Sequence, residues 1–147
     1  MFHIGVVVPN LDKAMDELGA AFGYDWSTIR DVDFVDLATP NGKTSAKLRI
    51  AFASPGPPWV EVIEARDASV WSASTGAALH HLAYWVDDLE KESEHLESVG
   101  MGFELGRSDE EGRLSGFAYH LNPQGGRVEL VDESGRDGLE RWVTQGV

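Results

Sequence analysis

The feature that most constrains what this chain can fold into is a repeat at an offset of 78 residues. Placing His3 on His81 superposes Val8 on Val86, Leu11 on Leu89, Lys13 on Lys91 and Leu18 on Leu96, and brings Gly23 to within one residue of Gly100. A strand, a turn, a helix and a stop signal therefore recur in the same order. Duplicated supersecondary units of this kind share one core, because neither half buries its apolar face alone.

In the first unit "MFHIGVVV" is a short apolar strand, and "PNLDKAMDELGAAFGY" carries Leu11, Met15, Leu18 and Phe22 at helical spacing. Asn10 is the expected N-cap and Gly23 the stop. Three further strands are expected around 26–37, 46–54 and 59–65, separated by "TPNGKTS" and the stiff "SPGPP". In the second unit "LHHLAYWV" is a strand, "DDLEKESEHLESVG" a helix, and "MGFEL", "SGFAYHL" and "GRVELVD" are strands. This order predicts an α+β fold. Two tandem βαβββ modules, 1–66 and 79–133, form one eight-stranded, largely antiparallel, curved mixed sheet with two covering helices, followed by a terminal helix over 137–145. Residues 67–78 read as a connection within a single domain spanning 1–147.

Composition narrows the chemistry. With no cysteine, disulfides and thiolate metal sites are excluded, so any metal must be held by nitrogen and oxygen. Twenty-five acidic against 12 basic residues give a net charge of −13, which repels phosphate backbones and anionic lipid. Neither nucleic acid nor membrane is an expected partner. No apolar run approaches the roughly 20 residues of a membrane span, and "MFHIGVVVPN" lacks a basic leader segment, so a cytoplasmic location is expected.

The last strands of the two units also match. "WVEVIEA" and "RVELVDE" each set a glutamate, Glu61 or Glu129, between branched apolar residues. An ionised carboxylate in an apolar strand is costly unless a cation compensates it. Each unit thus offers a histidine on its first strand and a glutamate on its last, and a divalent metal between His3, Glu61, His81 and Glu129 would supply the missing charge. Strand alternation puts His81, Ala83 and Trp85 on one face with His3, Gly5 and Val7 as their counterparts, and His80 on the opposite, helix-packing face. The small Gly5 and Ala83 would leave room for a substrate. Glu64 and Asp132 fall on the outer side, His95 on a helix surface, and His120 reads as a strand histidine satisfied by a neighbour. Trp85, Phe52, Trp59 and Tyr119 are candidate pocket walls, and Arg49 a candidate cation near a substrate.

At "FHIGVVVPNLDKA", "LHHLAYWVDDL" and "NPQGGRVELVD" the chain resembles the vicinal oxygen chelate superfamily of glyoxalases, methylmalonyl-CoA epimerases, extradiol dioxygenases and bleomycin-resistance proteins, and within it the epimerase and glyoxalase branch. The family's ligand positions map onto His3, Glu61, His81 and Glu129, the four reached from the repeat. The resemblance implies one divalent ion (zinc, nickel, cobalt, manganese, iron or magnesium), a small-molecule substrate and a homodimer. It implies an isomerase, epimerase or lyase acting on a small carbonyl compound, a 2-oxo compound or acyl thioester, with Glu129, aided by Glu61, as general base. The alternatives are a metal-independent protein that sequesters a small molecule, and an extradiol-type dioxygenase. A ligand at Glu61 speaks against the dioxygenase, and the complete ligand set against the metal-independent binder.

Overall fold

The apolar alternation of "HIGVV" forms β1 (His3–Val7), and α1 (Leu11–Phe22) begins after a short turn. Asn10 caps the helix from an extended backbone, its side chain accepting the Lys13 N–H at 2.8 Å. Gly23 ends it at φ 70°, a left-handed conformation that costs glycine nothing. The second unit repeats the device: Asp88 accepts the Lys91 N–H at 3.1 Å at the start of α2 (Leu89–Ser98). The acidic pair after "LHHLAYWV" is therefore a turn and a helix cap. The remaining elements are β2 (Asp25–Trp26), β3 (Arg30–Thr39), β4 (Gly42–Ser54), β5 (Trp59–Ala65), β6 (Ala78–Val86), β7 (Gly102–Ser108), β8 (Leu114–Leu121), β9 (Arg127–Asp132) and α3 (Arg136–Gln145). The structure is a computed structural model that describes residues 1–73 and 78–146; part of the expected connection, 74–77, lies outside the described residues.

Within each unit the first strand pairs in parallel with the last, β1 with β5 and β6 with β9, and the other neighbours are antiparallel. The units meet twice, β1 antiparallel to β6 and β3 against β7 through the Ala38–Gly106 pair. Eight strands thereby close into a ring inside one chain, built from the two expected βαβββ modules of an α+β fold. A short ninth strand departs from the expectation. The span expected over 26–37 divides because Ser27 leaves β2 to bond the Phe52 backbone, donating its N–H to the Phe52 carbonyl at 2.9 Å and accepting the Phe52 N–H on its hydroxyl at 3.0 Å.

Three apolar clusters follow from the alternation. α1, through Leu11, covers Val8, Ala51 and Val62 on the outside of the ring, and α2, through Leu89, covers Ala118 and Leu130. The largest cluster lies inside the ring and includes Leu48, Ile50, Phe52, Ile63 and Tyr119, closed at one mouth by Trp142 and Val143 of α3. Each such side chain contributes about 1.5–3 kcal/mol on burial. Trp142 pins α3 in place, its indole N–H donating to the Thr28 carbonyl at 2.8 Å and its ring meeting Phe52 edge-on at 5.1 Å. Among the described residues no helix is long and apolar enough to cross a membrane.

Candidate metal centre

The ring brings the four repeat-related residues to one point. His3 and Glu61 arrive on the parallel pair β1–β5, His81 and Glu129 on its counterpart β6–β9, and the antiparallel β1–β6 seam sets the two pairs face to face. His3 Nε2 lies 2.8 Å from His81 Nε2, 3.4 Å from Glu61 Oε2 and 3.1 Å from Glu129 Oε2. His81 Nε2 lies 3.3 Å from Glu61 Oε2 and 3.2 Å from Glu129 Oε2. All four side chains are buried.

These donors fit a divalent ion. Bonds of about 2.0–2.2 Å from imidazole nitrogen and carboxylate oxygen place neighbouring ligand atoms about 3 Å apart, which is the spacing observed. Direct hydrogen bonding does not account for the cluster, since Glu129 Oε2 is buried without a partner although two ring nitrogens stand beside it. Two imidazoles and two carboxylates also form a donor set for a borderline or hard cation.

The electrostatics of the protein alone point the same way. Burial opposes charge on every member, raising the carboxyl groups and lowering the imidazoles, but the opposite charges win. Glu129 is held well below the usual carboxylate range by His81 and His3, and Glu61 is lowered by the same pair. His81 is carried up to about 9 by Glu129 and Glu61, and His3 is raised too. The site is built for ionised carboxylates and concentrated positive charge.

His80 departs from its expected place. In the β1–β6 ladder Gly5 opposes His81 whereas Val6 opposes Leu79, so His80 is the extra residue of a β-bulge. A bulge breaks the alternation locally, and His80 turns inward beside His81 instead of facing a helix. Its Nδ1 lies 2.9 Å from His81 Nδ1, and its Nε2 lies 3.0 Å from the Val70 carbonyl. One proton arrangement satisfies the chain: His81 donates from Nδ1 to His80, and His80 donates from Nε2 to Val70. That leaves His81 Nε2 to the cluster, its lone pair becoming free once a cation displaces the proton there. Burial, then the charges of Arg127 and His81, push His80 down to about 4, so it is neutral near pH 7 as this arrangement requires.

Gly5 also acts differently from the expectation. A Cβ at Gly5 would fall on the His81 ring, so the missing side chain makes room for that imidazole and not for a substrate.

Beside the cluster lies a cavity of about 220 Å³, walled by Phe34, Phe52, Trp71, Phe117, Tyr119 and Trp142. Phe52 and Tyr119 are thus where the sequence suggested. Trp85 stacks on Phe2 at 3.8 Å and lines an outer groove instead. Trp59 is buried against Gly56 and is not part of the wall. Arg49 stands outside the ring, bonded to Asp12 at 2.8 Å and close to Glu64, because its strand position faces α1. Glu64 is on that outer side, accepting the Leu11 N–H at 2.7 Å, and His120 is satisfied at Nε2 alone, by Ser93 at 2.9 Å, its Nδ1 being buried without a partner among the described residues. Sequence reasoning missed Trp71, whose indole N–H donates to the Tyr119 hydroxyl at 3.2 Å; an isolated tryptophan in the small-residue stretch "RDASVWSAS" was the available signal. Burial, then Glu129 and Glu61, raise Tyr119 well above the ordinary phenol range, so it remains a neutral hydroxyl.

Comparison with known proteins agrees with this architecture. The fold is similar to that of methylmalonyl-CoA epimerase from Mycobacterium tuberculosis (TM-score 0.62, 20% identity, covering 88% of this chain and 85% of that one). It is similar to a variant of the Streptomyces coelicolor methylmalonyl-CoA epimerase in complex with 2-nitronate-propionyl-CoA (TM-score 0.58, 17% identity, 88% and 94%). It is also similar to a variant of 4-hydroxymandelate synthase from Streptomyces coelicolor (TM-score 0.61, 15% identity), where 90% of this chain matches 47% of the other. Among curated proteins no sequence match is found. A family model described as glyoxalase/bleomycin resistance protein/dioxygenase superfamily matches residues 2–119. With four fifths of its length matched and the ring of two repeated units in place, the chain belongs to that superfamily.

Proposed function

We propose that the protein is a divalent-metal-dependent isomerase or epimerase, or a lyase of the same chemistry, acting on a small carbonyl compound by removal of a proton alpha to the carbonyl. The observation that carries this reading is the convergence of four buried side chains at an apolar cavity, where the two imidazole Nε2 atoms lie 2.8 Å apart and each carboxylate sets an oxygen 3.1–3.4 Å from both. His3, Glu61, His81 and Glu129 would hold the ion, and a divalent ion there supplies Lewis acidity to a carbonyl oxygen. The likeness to methylmalonyl-CoA epimerases adds support at the level of fold.

The chain's own groups then have distinct tasks. Glu129, ionised, would be the base that takes the alpha proton, its carboxylate freed in part from the cation by the arriving substrate. The proton that Glu129 has taken returns to the next carbon in an isomerisation; in an epimerisation Glu61, its mirror on the other unit, first takes a proton from water and delivers it to the opposite face, while Glu129 passes its own to water. Tyr119 stays protonated, its hydroxyl accepting from Trp71 and directed towards Glu129. Phe52, Phe117 and Trp142 keep bulk water from the reacting carbon. A cavity of about 220 Å³ takes the reacting end of a substrate, and the remainder must pass the mouth beside α3. All four donors come from one chain, so an expected homodimer would add no ligand to the site.

Protein purified without chelators is expected to carry close to one equivalent of divalent metal. With it, a panel of 2-oxo compounds and acyl thioesters in heavy water is expected to yield at least one member that gains deuterium at the alpha carbon, and chelation abolishes the exchange. Trace metal content together with no exchange across the panel would sink the proposal.

A further inference from the structure

The groove outside the cavity mouth carries a second site. It measures about 670 Å³ and shares Gly116, Val131, Leu139 and Trp142 with the inner cavity, so the two spaces adjoin along one wall. Its charge is unlike that of the rest of the surface. Of the eight arginines, five (Arg49, Arg66, Arg113, Arg127 and Arg136) lie within 4.0 Å of a carboxylate. Arg30, Arg107 and Arg141 have no such partner among the described residues, in a chain with 25 acidic side chains. Arg30 and Arg141 line the outer groove, and Arg107 lines the inner cavity beside Gly116.

In a protein of net charge −13, leaving three guanidinium groups unpaired around one opening concentrates positive potential where the surrounding surface is negative. The arrangement of Arg30 sharpens the point. Its guanidinium carbon sits 4.1 Å over the Trp142 ring, which is itself held by the Thr28 carbonyl. A guanidinium held over an aromatic face in this way keeps N–H groups to offer an oxyanion. The hydroxyl-bearing Ser115 and Ser134 line the same groove. One carboxylate, Asp132, also lines it, but that side chain accepts the Ser134 N–H at 2.9 Å. Arg107 borders Asp36, Asp109 and Glu110 on its other side, all beyond pairing distance.

We infer that Arg30, Arg141 and Arg107 form an anion-binding rim that takes a phosphate or carboxylate group on the end of the substrate remote from its carbonyl. This rests on the proposed function only for the orientation of the substrate; the rim itself stands on its own residues. The substrate class is then a carbonyl compound with an apolar middle, matching the aromatic cavity, and an anionic tail.

The test uses the whole protein stripped of metal, at low salt, with pyrophosphate and glutarate as probes. Binding is followed through the indole N–H resonances of Trp142 and Trp85. Saturable shifts at both indoles are expected, weakened at least tenfold in the Arg30→Gln/Arg141→Gln variant and less in Arg107→Gln. Lys91→Gln, which removes a cation on α2 with no carboxylate within 4.0 Å among the described residues, should leave them unchanged. Tighter binding of pyrophosphate assigns the tail as phosphate, and tighter binding of glutarate as carboxylate. No saturable shift, undiminished binding in the double variant, or an equal loss in Lys91→Gln overturns the rim. Because neither probe has a reacting carbonyl and no metal is present, this result is separate from the metal and deuterium measurements.

Discussion

The two units supply equivalent donors but hold them in different ways. At the repeat-related position next to each histidine, the first unit has Phe2 and the second His80. Phe2 stacks on Trp85 and meets His3 edge-on at 4.5 Å, leaving His3 Nδ1 buried without a partner. His80 instead joins His81 Nδ1 to the Val70 carbonyl. Packing holds one imidazole and a hydrogen-bonded chain holds the other. The glycine at Gly5, against Ala83 in the second unit, deepens the asymmetry, since only the first unit has surrendered a side chain to its neighbour's ring. A duplicated framework therefore yields symmetric donors with asymmetric support, and the support decides how firmly each is aimed.

That comparison breaks most sharply at Gly5. In Gly5→Ala the new methyl group displaces the His81 ring, and metal binding should fall to the level of His81→Ala, in which stoichiometric binding is lost; the reverse change, Ala83→Gly, should retain full metal at a stability cost of about 0.5–1 kcal/mol. Equilibrium dialysis with metal analysis checks both. Next in size is His80→Phe, which gives the second unit the first unit's arrangement and is expected to weaken zinc binding roughly 10–100-fold. His80→Asn, whose carbonyl oxygen can accept from His81 Nδ1, should recover much of the loss, and ¹⁵N imidazole spectra of the zinc form should show the His81 proton on Nδ1 in the wild type.

A third expectation concerns pH. In the metal-free protein His81 keeps its proton up to about pH 9, and a metal must displace that proton. Affinity should therefore rise with pH, by up to about tenfold per unit for each displaced proton, and level off only above about 9. Calorimetry in buffers of different ionisation enthalpy reads the proton release directly; an affinity flat between pH 6 and 9 would contradict the raised imidazoles. The smallest effect belongs to the helix interfaces. Where the first unit packs half-buried Met15 against the cluster of Val8, Leu11, Ala51 and Val62, the second pairs Ser93 with His120. Ser93→Ala leaves His120 unsatisfied and should cost about 1–3 kcal/mol in urea unfolding, without altering metal affinity.

Much of this was legible in the sequence because strand alternation and helix capping are local. The offset of 78 located His3 against His81, and the glutamates in "WVEVIEA" and "RVELVDE" completed the set. Asn10 and Asp88 marked both helix starts through side chains acting three residues away. The outward position of Glu64 also followed from counting by twos.

The tertiary structure decided what depends on a partner strand or a distant segment. His80 obeys the alternation of its own sequence until β6 pairs with β1, and the bulge that turns it inward belongs to the pair and not to either strand. Arg49 was expected near a substrate, yet its face of β4 is covered by α1 and its charge is taken by Asp12 and Glu64. Trp71, Trp142 and the unpaired arginines come together from a connection, a terminal helix and two strands, which no periodicity relates. The sequence by itself determined which side chains could bind a cation, since a buried carboxylate must be compensated wherever it lies. Only ring closure decided how they are aimed and what surrounds them, because those properties arise from contacts between residues far apart along the chain.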